Sequence, residues 1–305
     1  MKIATIQLAS KLGERNANIT RANELLSSAN LSRVDLLVLP EMAFSGYSFT
    51  SLAHITPLLE PTSAGPSTQW AQSTARRLQC HVCIGYPETS TAEPGKNYNS
   101  LVTVNPAGEV IAHYRKSFLY YTDETWASEG SGFLFTEVEA WGQFSKVAMG
   151  ICMDINPYRF QTPWEKYEFA THCVEQNASL VVLSTAWLTS LVPEVLSKDP
   201  KEPDLDTLNY WVARFKPLLD RMGTEEVVLV FANRCGLEPG TVEGVTRGTN
   251  DAGESVIGFA GTSCVVGVRE GSLKIWDMLG KAEEAVLMVD TETAPIYQLS
   301  IKPTG

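Results

Sequence analysis

VAMGICMDINPYRF, residues 147–160, joins the end of a predicted β-strand to a turn, and a cysteine stands at the junction. The strand covers residues 145–152 and ends on Cys152. An Asp and a Pro follow within five residues, which is typical of a tight strand-to-helix elbow. At such an elbow the peptide N–H groups that follow the cysteine, beginning with Met153, can face an oxygen of a bound molecule. We therefore expect an accessible thiol held on a rigid strand end.

Two other segments place a reactive side chain at a strand end in the same way. LLVLPEMAFSGYSF carries Glu41 after a buried strand and a proline, and HYRKSFLYYTDETW carries Lys116. Each residue alone has an ordinary explanation: a packed cysteine, a solvated lysine or a capping glutamate. Because all three stand where a sheet fixes the backbone and a loop leaves access, we interpret them together as a reactive site.

Around these segments, short apolar runs rich in β-branched residues alternate with longer amphipathic stretches, which predicts an α/β protein. Hairpins mixed with strand–helix–strand units favour a mixed sheet or a pair of sheets covered by helices. We expect one domain, 1–305, since no linker or repeat interrupts the pattern. The predicted strands are 2–9, 34–40, 80–88, 99–105, 109–116, 145–152, 179–187, 226–233, 255–261, 263–269, 273–278 and 285–290. The predicted helices are 14–29, 67–79, 164–176 and 205–222.

Composition and charge narrow the classes of function. The chain has 305 residues, 44% of them hydrophobic, and a formal net charge of -11. With no block of Lys or Arg, it carries no electrostatic footprint for nucleic acid or for an anionic membrane. No apolar run approaches the roughly 20 residues of a membrane span, and the N-terminus does not follow the signal-peptide plan. We expect a cytoplasmic or nuclear protein with reduced thiols.

Other motifs predict neither a metal nor a cofactor. Cys80 and Cys83 form a C-x-x-C, but they lie in a predicted strand, where side chains three apart point to opposite faces. The four histidines show no paired metal spacing, and no glycine-rich phosphate loop is present.

The three segments together resemble the conserved blocks of the nitrilase superfamily of carbon–nitrogen hydrolases, and they follow the family's order. The resemblance covers nearly the whole chain. It implies a four-layer α-β-β-α sandwich and a catalytic triad of Glu41, Lys116 and Cys152. It also implies a second glutamate after the lysine, for which Glu124 matches the position seen in amidases and Glu129 is a competitor. The superfamily usually dimerises, so a homodimer is consistent with the resemblance while the oligomeric state stays open.

Within the superfamily the chain most resembles the eukaryotic protein N-terminal asparagine amidohydrolases. MDINPYRF (153–160), STAWL (184–188) and the DETW that follows Lys116 carry this likeness. It implies deamidation of N-terminal Asn, and of Gln, as a step of the N-degron pathway. Many small-molecule amidases have CYD-x-R-F in the nucleophile block, whereas the arginine here is displaced to Arg159, which leaves the roles of Asp154 and Arg159 open.

Recognition of a peptide N-terminus requires a site for the α-ammonium, and carboxylates serve that purpose. The carboxylates close in sequence to the reactive segments are those of Glu124, Glu129 and Asp154. Aromatic rings could wall the side-chain slot, although packing in the core explains them as well. The aromatic candidates are Tyr47, Phe49, Trp126, Tyr158 and Trp187.

Two other functions remain open from the residues. One is a small-molecule amidase, ω-amidase or carbamoylase with the same chemistry and a different pocket. The other is a scaffold that binds partners and has lost catalysis. We also predict that 192–206 and 236–255 form mobile loops, either of which could cover the site.

Overall fold

The computed structural model describes residues 1–221, 225–242, 248–250 and 252–300. Its strands, in chain order, are β1 (Lys2–Gln7), β2 (Leu36–Val38), β3 (Glu60–Pro61), β4 (His81–Thr89), β5 (Asn97–Val104), β6 (Val110–Arg115), β7 (Leu134–Glu137), β8 (Lys146–Ile151), β9 (Leu180–Thr185), β10 (Val227–Asn233), β11 (Leu237–Pro239), β12 (Gly248–Thr249), β13 (Ser255–Gly258), β14 (Cys264–Arg269), β15 (Ser272–Met278), β16 (Ala285–Asp290) and β17 (Tyr297–Ser300).

The α-helices are α1 (Arg15–Ser28), α2 (Leu52–Ile55), α3 (Pro66–Leu78), α4 (Glu168–Glu175), α5 (Pro193–Ser197), α6 (Leu205–Arg214) and α7 (Lys216–Asp220). Short 3₁₀ segments cover Thr56–Leu58, Asp123–Thr125, Glu139–Phe144, Cys152–Ile155, Tyr158–Phe160 and Trp164–Lys166.

Two seven-stranded mixed sheets form the frame. The first runs β16-β1-β2-β4-β5-β6, with β3 paired to β4, and the second runs β17-β15-β14-β10-β9-β8-β7. In the first sheet β1, β2 and β4 are parallel, and in the second β8, β9 and β10 are parallel. Because the carboxyl ends of parallel strands share one edge, the residues after β8, β9 and β10 meet there. A small sheet, β11-β13-β12, stands apart from both.

Three buried apolar clusters show how the layers stack. The central cluster joins the facing surfaces of the two sheets, for example Val38 of β2 with Val147 of β8. A second cluster packs α1 and α3 on the outer face of the first sheet. A third packs α4, α6 and α7 on the outer face of the second sheet, around Trp211. The order is helix, sheet, sheet, helix, which confirms the α-β-β-α sandwich.

The main predicted elements are present, and apart from the two divided helices their ends differ from the prediction by at most three residues. Two predicted helices are each divided. The stretch 164–176 begins as a 3₁₀ turn and restarts as α4 after Tyr167, whose φ is 43°. The stretch 205–222 divides at Phe215 into α6 and α7, where Pro217 cannot supply a backbone N–H, and Met222 lies outside the described residues.

The two predicted loops contain regular structure. The stretch 192–206, predicted as a mobile loop, contains α5 and the first two residues of α6, so it is not irregular throughout. The stretch 236–255 carries β11 and β12, while 243–247 and 251 lie outside the described residues.

The cysteines of the C-x-x-C face different cores. Cys80 packs in the cluster under α1 and α3, whereas Cys83 packs between the two sheets. Burial raises the pKa of each thiol to about 12. Within the described residues no helix is long and apolar enough to span a membrane.

Candidate active site

Glu41 is fully buried just beyond the end of β2, where Pro40 ends the strand. Its Oε1 accepts hydrogen bonds from the Nζ of Lys116 and the Nδ2 of Asn99, both at 2.7 Å. Its Oε2 accepts the backbone N–H of Ala186, which follows β9 in the other sheet, at 2.8 Å. The carboxylate is therefore held from both sheets, which leaves it one orientation.

Lys116 lies between two carboxylates at the end of β6. Besides Glu41, its fully buried Nζ contacts Oδ2 of Asp123 at 2.5 Å. The Nδ2 of Asn99 bridges the same two carboxylates, with Oδ1 of Asp123 at 3.0 Å. Two of the three Nζ–H donors are thus used within the described part of the chain, and the third remains for a ligand.

Burial and charge act against each other on these groups. Burial raises the pKa of Glu41; the Lys116 ammonium opposes that rise and the Asp123 carboxylate adds to it. Burial alone would lower the pKa of Lys116, but the charges of Asp123 and Glu41 outweigh burial and raise it. The result is a permanent ammonium next to a carboxylate that takes up protons more readily than an ordinary glutamate, as a general base requires.

Cys152 stands at the elbow after β8 in a left-handed backbone conformation, with φ 41°. It is 7% exposed and lies at the floor of a cavity. The charges of Glu41 and Lys116 act on its sulfur. Burial raises the pKa of the thiol far above its usual range, and Glu41 raises it further. The thiol is therefore protonated at neutral pH and needs a base to become a nucleophile.

Asp154 was expected to bind substrate, and the structure corrects this. It is fully buried and accepts backbone N–H groups from Ile151 at 2.7 Å and Phe118 at 2.8 Å. It also accepts the N–H of Ser117 at 3.1 Å and the hydroxyl of Tyr114 at 2.8 Å. Asp154 therefore ties the cysteine elbow to the loop after Lys116 instead of facing a ligand.

The cavity over Cys152 has a volume of about 380 Å³. Tyr47 and Trp187, which were predicted as substrate-binding residues, line it, and Met153 lines it beside the cysteine. The remaining lining residues are Tyr120, Asn156, Phe160, Ala186, Leu188, Thr189, Ser190, Leu191, Asp204, Asp206, Thr207 and Tyr210.

Two other aromatic candidates lie behind the cavity. Trp126 and Phe49 are buried in an apolar cluster that also holds Tyr47, and neither lines the cavity. Their prediction as substrate contacts is corrected to support of the wall, since packing against Tyr47 takes up their surface.

Tyr158 and Glu129 also lie outside the cavity. The hydroxyl of Tyr158 donates to Oε1 of Glu129 at 2.8 Å, and the guanidinium of Arg159 reaches the same oxygen at 3.4 Å. These bonds form on the outside of the molecule and do not face Cys152. They join the loop after Lys116 to the loop after Cys152.

Glu124 is exposed, whereas its neighbour Asp123 is fully buried against Lys116. Both lie in one 3₁₀ turn, Asp123–Thr125, in which neighbouring side chains point in different directions. The second carboxylate expected at Glu124 is therefore corrected to Asp123.

The carboxylates that line the cavity come from the segment predicted as a loop. Asp204 caps α6 by accepting the N–H of Thr207 at 3.1 Å, and it accepts the hydroxyl of Thr189 at 3.0 Å. Asp206 is exposed in the first turn of the same helix. The cavity wall is thus acidic on this side.

Sequence reasoning missed Asn99, Asp123, Asp204 and Asp206. For Asp204 and Asp206 the available signals were the charged composition of 192–206 and its expected position over the site. That signal does not extend to Asn99 and Asp123, which lie outside this stretch. Cys152 lines the cavity, and behind it Glu41 and Lys116 are buried as an ion pair whose charges act on the thiol. Such an arrangement can attack an electrophilic carbon bonded to nitrogen and stabilise the anion that forms.

Comparisons with known proteins agree with this chemistry. Residues 2–159 match the Carbon-nitrogen hydrolase family. The Protein N-terminal amidase of Schizosaccharomyces pombe is 35% identical over 96% of this chain and 100% of its own length. The Protein N-terminal amidase of Saccharomyces cerevisiae is 31% identical over 72% of this chain, and the match spans 64% of that protein. A crystal structure of N-terminal amidase with an Asn-Glu-Ala peptide superimposes with a TM-score of 0.77 at 23% identity, over 99% of this chain and 98% of that one.

Proposed function

Because the chain belongs to the carbon–nitrogen hydrolase family, we propose that it hydrolyses the side-chain amide of N-terminal Asn and Gln in peptides and proteins. The products are N-terminal Asp or Glu and ammonia, which would feed the N-degron pathway. The observation that carries the proposal is the cavity that holds Cys152 at its floor and Asp204 and Asp206 in its wall. The likeness to the full length of the fission yeast N-terminal amidase supports it.

The first half of the reaction forms a thioester. Glu41 takes the proton of Cys152, and the thiolate attacks the carboxamide carbon. The remaining Nζ–H of Lys116 and the backbone N–H of Met153 receive the oxyanion, and each such donor contributes about 3–4 kcal/mol in other enzymes. Glu41 then returns the proton to the departing nitrogen, so ammonia leaves and an acyl-thioester remains.

The second half uses the same base. Glu41 deprotonates a water molecule that attacks the thioester carbonyl, and the proton passes on to the Cys152 sulfur as the C–S bond breaks. The carboxylate product then leaves with its free α-ammonium intact. Asp123 keeps Lys116 protonated and oriented through both halves, since its Oδ2 holds Nζ at 2.5 Å.

The acidic wall favours a substrate with a free α-ammonium. Asp206 is exposed in the cavity, and Asp204 is fixed by Thr189 and the start of α6. A cation that enters the cavity meets these two negative charges, whereas an acetylated N-terminus brings no charge to pair with them. Gln is longer than Asn by one methylene. Such a difference changes the binding free energy of the transition state by only about 1–3 kcal/mol, so we expect both residues to react.

The test is ammonia release from matched peptides with N-terminal Asn, Gln or acetyl-Asn, beside free asparagine. We expect turnover of the free-amine Asn and Gln peptides, little turnover of acetyl-Asn, and a rise in KM for Asp206→Asn. Glu194→Gln removes an exposed carboxylate on α5 that does not line the cavity, and it serves as the matched control. Turnover of free asparagine alone would overturn the proposal in favour of a small-molecule amidase, and equal turnover of acetyl-Asn would overturn the role of the acidic wall.

A further inference from the structure

Two exposed aromatic rings and a half-buried third form a cluster at the mouth of the cavity. Phe160 lines the cavity and is 47% exposed, and Tyr121 is 43% exposed. Their rings stack with centroids 6.1 Å apart and planes at 22°. The ring of Tyr120, which also lines the cavity, meets both nearly edge-on. We name Tyr120, Tyr121 and Phe160 the aromatic rim.

The residues of the rim come from two loops, one that begins at Lys116 and one that begins at Cys152. Tyr120 and Tyr121 follow Lys116, and Phe160 follows Cys152. The external bonds of Glu129 to Tyr158 and Arg159 hold these loops together. The rim is therefore built on the same supports as the catalytic groups, so its distance from them is fixed.

Phe160 occupies its exposed position at a conformational cost. Arg159 and Phe160 are consecutive non-glycine residues with φ of 52° and 53°. L side chains rarely adopt this left-handed region. A large apolar side chain that a strained backbone presents to solvent at a cavity mouth is a mark of a binding surface rather than of packing.

We infer that the aromatic rim is the subsite for the side chain of the second residue of the peptide, and that it favours apolar side chains. The inference rests on the proposed function. With the carboxamide at Cys152 and the α-ammonium at Asp204 and Asp206, the third group on the terminal Cα is the carbonyl that leads to the second residue. The segment 204–206 takes the ammonium, and the other exposed lining residues are Ser190 and Phe160. Of these two, Phe160 offers an apolar surface on which a side chain of the departing peptide can rest.

The size of the preference follows from the apolar area that the rings can cover. A Leu or Phe side chain that rests on one face of the rim loses part of its surface to water, which corresponds to roughly a five- to tenfold gain in kcat/KM over Gly. The three rings carry no charge, the Arg159 guanidinium beside them is paired with Glu129, and the opposite wall is acidic. An Asp or Glu in the second position therefore gains less from the rim than Leu or Phe does.

The experiment measures kcat/KM for ammonia release from Asn-Gly-Gly, Asn-Leu-Gly and Asn-Phe-Gly. The wild-type chain should prefer Leu and Phe roughly five- to tenfold over Gly. In Phe160→Ala the ratio should fall to within about twofold of unity, since the ring is gone. Phe160→Gly removes both the ring and the backbone strain, so it tests the same ratio in a variant that is not forced into a left-handed conformation. Tyr297→Ala, which removes a 56% exposed aromatic on the edge strand β17, should keep the wild-type ratio.

Each outcome bears on the inference. A wild-type ratio near unity, or an equal loss on all three peptides in Phe160→Ala, overturns the subsite. Turnover of Asn-Gly-Gly without any second-residue preference overturns the subsite and leaves the proposed function in place. Absence of turnover with all three peptides, beside hydrolysis of free asparagine, overturns both.

Discussion

Cys152, Glu41 and Lys116 owe their reactivity to their burial with one another. The thiol has a raised pKa, so it attacks only when Glu41 takes its proton, and Glu41 can do so because burial and Asp123 raise its own pKa. Lys116 stays charged between two carboxylates. At the scale of single residues, the charge of one side chain decides whether its neighbour can react. Single substitutions test these roles.

Replacing Cys152 should abolish turnover without unfolding the chain. We expect Cys152→Ala to lower kcat at least about 10³-fold, since no other group can form the thioester, and Cys152→Ser to act similarly because Glu41 is a weak base for a hydroxyl. Ammonia release from an Asn peptide measures the effect, and thermal melting checks the fold. Wild-type turnover in either variant would contradict the assignment.

Asp123→Asn should change the pH profile as well as the rate. Asp123 raises the pKa of Glu41, so removing its charge lowers that pKa, and the acidic limb of kcat/KM moves to lower pH. We expect kcat/KM at the optimum to fall about 10- to 100-fold, because Lys116 loses an orienting partner. The measurement is kcat/KM against pH. Glu124→Gln, one residue away and exposed, should keep the wild-type profile; a shift in that variant alone would reverse the correction.

At the scale of elements, the site depends on where strands end. Glu41 follows β2, Lys116 follows β6, Cys152 follows β8 and Ala186 follows β9, so two sheets meet at one cavity. Asp154 joins the ends of β6 and β8 through four hydrogen bonds. This carboxylate sets the distance between the lysine loop and the cysteine elbow.

Asp154→Asn should weaken both loops together. An amide has one acceptor oxygen where the carboxylate has two, so buried N–H groups lose their partners. We expect a loss of about 2–4 kcal/mol in the free energy of unfolding, together with reduced turnover. Urea denaturation measures the first. Asp220→Asn, at an exposed i,i+4 pair with Lys216, should leave stability unchanged, and equal effects in the two variants would contradict the role of Asp154.

At the scale of the whole molecule, long-range pairings close the sandwich. β16 leaves its neighbour β15 and pairs with β1 in the other sheet, with Lys2 opposite Asp290. Glu88 of β4 links the neighbouring strands of the first sheet. It is fully buried and accepts hydrogen bonds from Arg115 and His113 of β6, Ser100 of β5 and Thr62, which follows β3.

The free energy of unfolding should fall in acid, because the stabilising contribution of the ionised Glu88 is lost there. Burial pushes its pKa up, but the hydrogen bonds from His113, Arg115, Ser100 and Thr62 outweigh burial and bring the pKa down to about 2. Because this value lies below that of the unfolded chain, the contribution of roughly 2–3 kcal/mol is present above about pH 4.5 and is lost as the pH falls toward 2. Thermal melts of the wild type and Glu88→Gln should therefore differ at pH 7, differ less at pH 3 and converge near pH 2. A constant difference across that range would contradict the prediction.

The sequence by itself determined the buried strands, most of the helices and the positions of Glu41, Lys116 and Cys152. Apolar runs and their end points are local properties, and a reactive side chain directly after such a run is visible without a structure. The same locality explains the errors. Asp123 and Glu124 are neighbours with equal charge, and only their packing against Lys116 distinguishes them.

Tertiary structure alone decided which sheet each strand joins and which polar groups enter the cavity. β15 and β16 read alike as strands, yet they belong to different sheets. Asp204, Asp206 and Phe160 reach the cavity of Cys152 through the packing of α6 and of the loop after the cysteine. The physical reason is that burial of a side chain depends on its partners across the fold, and contacts between distant segments leave no periodic trace in the sequence.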